Sequence, residues 1–598
     1  MKKGKVNKYP DVTDKDFYNK INEIYKKFKV RKDNRDLDDI CHPKEYKLQL
    51  PQQFNAEFIN PNTPYRGVLI YHRIGAGKTC TAVQIAEKWK KHKKIIVVVP
   101  ASLKGNFRSE LRSLCANDNY LKDDERKILS KLHPSDKKYK EIIAKTDERI
   151  DQYYSIYSYN KFVELSKNGE IKLKNSLLII DEIQNMVSET GSFYSTLYDI
   201  IHEAPKDLRI VLLSATPMFD KPNEIGLTMN LLRLPVELPV GKDFDKKFIK
   251  IIKKGKDNYT HKVKNIDYFK KCVKGYISYF RGAPPIAFPK MKIKYVNCEM
   301  SKFQYSAYLD VLANEENNQK EIKKTKKKLL KSLDVADLPN NFYIGTRVIS
   351  NVVFPNKKIN EEGFGSFTDQ KIKNDLAKYS TKFFEIMNKI EKTNGKVFVY
   401  SSFKEFGGIK SFSKVLDAFG YSDYTQKGEG KKRYAIWSGD ENIATKEEIR
   451  AVFNMKNNLN GSKIKIILGS PSIREGVSLT AVRQVHVLEP YWNQSRLDQV
   501  IGRASRFCSH KDLDDKKRNV KVYIYVSVPP NYNKQSRQSN SDVSNQIQTV
   551  DQYIQQLSVE KDKIIKTFEK AIKEVAVDCN INKKANVYDG EEDIICDV

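Results

Sequence analysis

Four stretches in the first 215 residues are apolar almost without interruption: 67–71 (GVLIY), 95–100 (IIVVVP), 176–180 (SLLII) and 209–213 (RIVLL). A strand with one wet face alternates apolar and polar positions, whereas runs this continuous suit strands buried on both faces of a parallel sheet. Between them the chain turns charged. Residues 80–90 read as a helix, 104–150 as a charged, helix-rich stretch, and 1–45 as charged and helix-compatible. Pro51 and the turn at 61–64 bracket an amphipathic segment that ends just before the first apolar run.

The junction of the first strand and the helix after it reads YHRIGAGKTCT over 71–81. Gly75, Ala76, Gly77, Lys78 and Thr79 thus fall on a strand-to-helix turn, where small residues let successive backbone N–H groups face phosphate oxygens. Lys78 would neutralise the β- and γ-phosphates and the Thr79 hydroxyl would ligate Mg²⁺. A full phosphate-loop pattern has glycine where His72 stands, so only its second half, GxGKT, is present. Asp181 and Glu182 follow the third apolar run and so reach the same sheet edge. Asp181 suits a Mg²⁺ ion and Glu182 an attacking water. Ser102, and Ser214 with Thr216, end the neighbouring strands. Gln53 either reads an adenine edge or is a helix-surface amide.

At 598 residues with 40% hydrophobic composition the chain has material for several cores. No apolar run is long enough to span a bilayer and no secretory pattern opens the chain, so a soluble intracellular protein is expected. The net charge of +32 suits a polyanionic partner, although a generally lysine-rich surface would give the same number. Eight cysteines at scattered positions form no CxxC pair or zinc-spaced set, and reduced thiols are expected.

In this order, GxGKT, VVPASL, DEIQ and SATP resemble the first RecA-like domain of a superfamily 2 helicase. The second half is similar to its partner domain: 396–401 (KVFVYS), 464–469 (IKIILG), 475–479 (EGVSL) and 499–506 (QVIGRASR), the last close to QxxGRxxR. Phrases at 275–289, 482–510 and 550–579 resemble the ATPases of large cytoplasmic DNA viruses, among them the poxvirus early transcription factor small subunit and nucleoside triphosphatase I. The resemblance implies an α/β protein of two tandem RecA-like P-loop domains with a lysine-rich helical insertion and a C-terminal helical segment. The boundaries expected are 1–45 charged segment, 46–235 first RecA-like domain, 236–384 insertion, 385–530 second RecA-like domain, and 531–598 loop and C-terminal helix.

The same resemblance implies ATP and Mg²⁺ as cofactors and makes Arg503 and Arg506 arginine fingers on the γ-phosphate, Gln499 a nucleotide contact, and Gly476 and Ser478 coupling residues. Ser102, Ser214, Thr216 and 155–159 would serve nucleic acid. Gln184, an amide where many relatives carry another side chain, is expected to pair with Gln499. A DNA-dependent translocase of viral early transcription, in virion and host cytoplasm and near a viral RNA polymerase or larger factor subunit, is the function implied. An RNA helicase, a non-catalytic scaffold and a restriction motor are the alternatives. The lysine run at 320–331 is a solvated helix face or a phosphate contact. Tyr276, Tyr279 and Phe280 suit core better than base stacking. Residues 535–548 read as a mobile loop, 550–577 as a helix docked on the second domain or a partner, and the acidic end as frayed.

Overall fold

The computed structural model describes residues 9–73, 75–134, 136–187, 191–255, 258–318, 320–333, 342–474, 477–532 and 548–598. The chain forms two compact units. One takes residues up to Lys250, His261–Pro284 and Ile564–Val598; the other takes Ile251–Thr260 and Pro285–Lys563.

In the first unit, β1 (Gly67–His72), β2 (Lys94–Val99), β3 (Tyr154–Ser158), β4 (Ser176–Ile180) and β5 (Arg209–Ser214) come first; β1, β2, β4 and β5 are the strands that the four apolar runs predict, and β3 is one that they do not. β6 (Ile249–Gly255) and β7 (Asn258–Val263) form a separate two-stranded sheet, most of it in the second unit, and β8 (Ile277–Phe280) returns to the first. The main sheet has the order β3-β2-β4-β5-β1-β8, with every pairing parallel. All six residues of β1 and all five of β4 are buried, which is why those runs lack alternation. Parallel pairing also puts the C-terminal ends of all these strands on one edge, where open α/β sheets bind ligands.

The second unit holds β9 (Lys290–Glu299), β10 (Lys396–Tyr400), β11 (Ser422–Asp423), β12 (Arg433–Trp437), β13 (Ile466–Gly469), β14 (Val482–Val487) and β15 (Asn519–Val528). Their order is β11-β12-β13-β10-β14-β15-β9, again all parallel. Alternate residues of β10 feed two cores. Val397 and Val399 pack with Phe383 and Phe412 on one face, and Phe398 and Tyr400 with Phe453 and Leu497 on the other.

Four expectations change. The interval 236–384 is not one helical insertion: its β8 completes the first sheet and its β9 the second. The helix Val550–Glu574 is divided at Ile564, and beyond that point its apolar face packs in the first unit, with the Phe568 ring 5.1 Å from Phe269 and 5.4 Å from Phe244. The acidic end is tied down rather than frayed, because Cys579 and Cys596 are joined at 1.98 Å and Asp597 meets Lys270 at 2.9 Å. Cys80 and Cys115 are likewise joined at 2.06 Å, so these four thiols are not reduced; Cys272 and Cys298 are free and buried. Tyr279 and Phe280 are core residues of β8. Most of the segment read as a mobile loop, 535–547, lies outside the described residues.

Candidate nucleotide site

The turn after β1 is built by two residues in left-handed backbone, Gly75 (φ 84°) and Gly77 (φ 64°). Gly77 caps the helix Lys78–Trp89, whose first-turn N–H groups lack intrahelical acceptors and face outward with the positive end of the helix. A side chain at Gly77 is strained by its φ, and a Cβ there would lie 2.3 Å from Gln52 Nε2 and push that amide off its place on the turn. The helix Leu50–Phe58 supplies that glutamine. Gln52 Nε2 donates to the Gly77 carbonyl at 3.2 Å and Gln49 Nε2 to the Gly75 carbonyl at 3.4 Å, while Gln52 Oε1 accepts from the Gln49 N–H at 2.8 Å. Gln53, the glutamine picked out from the sequence for an adenine edge, donates to the Leu48 carbonyl at 3.0 Å. The glutamines on the turn were missed because a run of Gln residues carries no period that singles out one of them. Ala76 is buried in the turn, and Thr79 is half-buried in the first helical turn.

Lys78 Nζ lies 2.5 Å from Glu182 Oε1 and 3.4 Å from Asp181 Oδ1. Burial works against the ammonium, but both carboxylates outweigh it and hold Lys78 above the ordinary lysine value. Burial likewise opposes ionisation of Glu182, yet Lys78 and the Gln184 amide pull it below the ordinary glutamate value. Asp181 is raised, because its own burial and the neighbouring Glu182 exceed the pull of Lys78. Asp181 Oδ1 also accepts from the Glu182 N–H at 2.9 Å. Glu182 itself is held at φ 50°, an unusual backbone for a non-glycine residue, and Tyr159 Oη donates to the carbonyls of Asp181 at 2.5 Å and Glu182 at 3.0 Å. Tyr159, expected at nucleic acid, is therefore buried beneath the carboxylates.

From Glu182 a chain of hydrogen bonds runs along the sheet edge. Gln184 Nε2 donates to Glu182 Oε2 at 2.5 Å, Ser214 Oγ donates to Gln184 Oε1 at 2.7 Å, and the Thr216 N–H donates to Ser214 Oγ at 3.0 Å. Both ends of the Gln184 amide are used by these bonds inside the first unit. Ser102 is exposed just past β2, at the same edge.

In the second unit Gln499 sits on the helix Gln494–Ile501, and Arg503 and Arg506 follow it. Arg503 Nη1 donates to the Val477 carbonyl at 3.4 Å, and its own carbonyl accepts from the Leu479 N–H at 2.9 Å. Arg506 is half-buried, burial lowers its basicity, and its Nε has no hydrogen-bond partner among the described residues. The Ser478 carbonyl accepts from Asn454 Nδ2 at 2.8 Å. Gly476 lies outside the described residues.

The DEAD/DEAH box helicase family matches residues 53–225, and the helicase conserved C-terminal domain matches residues 381–508. A protein of Acanthamoeba polyphaga mimivirus, named among ATP-dependent RNA helicases, is 51% identical over 590 residues, covering 98% of this chain and 99% of its own length. The chain belongs to the superfamily 2 helicases of large DNA viruses. The helicase is also 30% identical to a helicase-named protein of Invertebrate iridescent virus 3, over 90% of this chain and 54% of that one. It is 24% identical to the termination factor NPH-I homologue of African swine fever virus, over 94% of this chain and 84% of that one.

Membership makes the helicase an ATP-hydrolysing, nucleic-acid-binding enzyme, and ATP use in this family goes with a divalent metal. Two features of the turn fit both. Its Gly77 holds a left-handed backbone that side chains rarely adopt, which keeps the turn bare for a phosphate, and Asp181 and Glu182 present hard oxygen donors beside it.

Proposed function

We propose that the helicase hydrolyses ATP at the glycine turn of the first unit, is stimulated by nucleic acid, and moves along DNA in viral early transcription. The contact of Lys78 Nζ with Glu182 at 2.5 Å and Asp181 at 3.4 Å carries the catalytic part of this reading. It puts a cation for phosphate, a carboxylate for metal and an ionised base within reach of one helix N-terminus. The Thr79 hydroxyl and the Asp181 carboxylate would hold the divalent ion. That ion, when bound, offsets charge on the phosphate oxygens. As nucleotide enters, the Lys78 ammonium exchanges Glu182 for phosphate oxygens. Glu182 is then free to take a proton from the attacking water while the bond from the γ-phosphorus to the ADP oxygen breaks. Gln184 fixes the second oxygen of Glu182 during that transfer. Arg503 and Arg506 are assigned to charge stabilisation by their match to QxxGRxxR.

A role in transcription, which runs on a DNA template, is supported by the match over 94% of this chain to a termination factor homologue. RNA unwinding is the second reading, favoured by the name of the mimivirus relative. Work beside a viral polymerase, in the virion and host cytoplasm, goes with the first. Lys78→Ala should reduce ATP turnover by at least about 10³-fold, measured as phosphate release. Turnover at the parental rate would remove the glycine turn from the mechanism. With the parent, greater stimulation by DNA than by RNA supports translocation on DNA; stimulation and strand displacement confined to RNA would replace it with the second reading.

A further inference from the structure

β8 is the last strand of the first sheet, and such an edge leaves one row of backbone groups unpaired. Here the C-terminal segment covers it. The Val577 N–H donates to the Ile277 carbonyl at 2.8 Å, the Tyr279 N–H to Asp578 Oδ1 at 2.9 Å, and the Arg281 N–H to Asn586 Oδ1 at 2.8 Å. Asp578 precedes the helix Cys579–Asn586, but its side chain does not cap that helix. It points into the sheet edge, fully buried.

Ser278 Oγ donates to Asp578 Oδ2 at 2.6 Å. A hydroxyl has one proton, so the same oxygen must accept from its other neighbours: Asn55 Nδ2 at 3.0 Å and His72 Nε2 at 3.2 Å. His72 is therefore the Nε2–H tautomer, and complete burial keeps it neutral, with its pKa lowered to about 3. Both donors lead to the nucleotide turn. His72 ends β1 and is the residue that replaces a glycine in the strict motif. Asn55 is one helical turn from Gln52, which holds the Gly77 carbonyl. A second grip is apolar: Ala585 of the C-terminal helix clusters with Ala76 of the turn and Phe280, with Val30 packed against them.

We infer that Asp578 is a positioning residue for the phosphate-binding turn, acting through Ser278 on His72 and Asn55, and that the C-terminal segment thereby sets the affinity of the helicase for ATP. The inference rests on the reading of the turn as the nucleotide site. In the full chain, Asp578→Ala and Ser278→Ala should each raise KM for ATP about tenfold, with kcat at saturating ATP changed less than about twofold. Asp578→Asn, which keeps an acceptor, should recover part of the loss. Val577→Ala is the control: it removes buried side chain from the same segment without touching the relay, and should lower the melting temperature with KM unchanged. An unchanged KM in folded Ser278→Ala overturns the inference, as does a KM raised equally by Val577→Ala. Should Asp578→Ala fail to fold, Ser278→Ala decides. If Lys78→Ala retained full turnover, the site assignment would fail instead, and the two failures are told apart by that one variant.

Discussion

The two sheets are built alike, and each places a buried carboxylate at the C-terminal ends of its central strands, yet the carboxylates are treated differently. In the first unit Asp181 and Glu182 face the Lys78 ammonium. In the second, Glu489 accepts from uncharged donors: Ser401 Oγ at 3.0 Å, Asn351 Nδ2 at 2.9 Å and the Ser402 N–H. A long lysine can leave its partner for a phosphate and return. A hydroxyl, an amide and a backbone N–H locked around a residue that is 1% exposed cannot. On the proposed reading one edge exchanges partners while the other holds loops in place, although every strand pairing in both sheets is parallel.

The sharpest test substitutes the two glutamates. Glu182→Gln should cut ATP turnover by about 10³-fold while ATP binding and melting temperature stay near the parent's. Glu489→Ala should do the reverse, destabilising by about 1–3 kcal/mol by stranding three buried donors, visible as a lower melting temperature with turnover per folded molecule largely kept. Equal catalytic losses in both would erase the contrast. A smaller effect is expected from Gln184→Ala, which cuts the line from Glu182 to Ser214 and should weaken nucleic-acid stimulation by about three- to tenfold more than it weakens basal turnover. Undiminished stimulation would show that the hydrogen-bonded edge does not communicate.

The mildest effect is one of pH. Burial raises Glu224, beside the SATP turn, to about 7, although it accepts from the Phe219 N–H at 2.6 Å and the Asp220 N–H at 2.9 Å. Between the unfolded value of about 4.5 and 7 the folded state holds a proton that the unfolded chain has released. Stability should therefore be highest below that window, fall as pH rises through it and level off above. Glu224→Gln should flatten this slope in urea titrations; an unaltered slope would assign it to other groups.

The strands of the first sheet were legible where burial on both faces wrote itself as an apolar run, as in β2 and β4. β8 was not, because it is four residues long and follows a lysine-rich stretch, and the cover of its outer edge comes from residues 577–586, three hundred positions away. The residues around Lys78 were legible as motifs, since each chemistry demands a residue type at a sheet edge. Their partners were not. Whether Gln52 or Gln53 meets the turn depends on helix phase, the partner of Gln184 depends on which side chain lies opposite, and the Cys80–Cys115 and Cys579–Cys596 bridges depend on proximity across 35 and 17 positions.

The cover of β8 has a consequence during biosynthesis. Asp578 leaves the ribosome only after 300 further residues beyond Ser278 have been made, which at about 5–20 residues per second takes roughly 15–60 s. Through that interval the nascent first sheet exposes a bare flank ready to pair with another chain. The nucleotide turn, too, waits for its clamp, so a ribosome stalled before the last segment would release a polypeptide with the catalytic residues present and the edge that should steady them open.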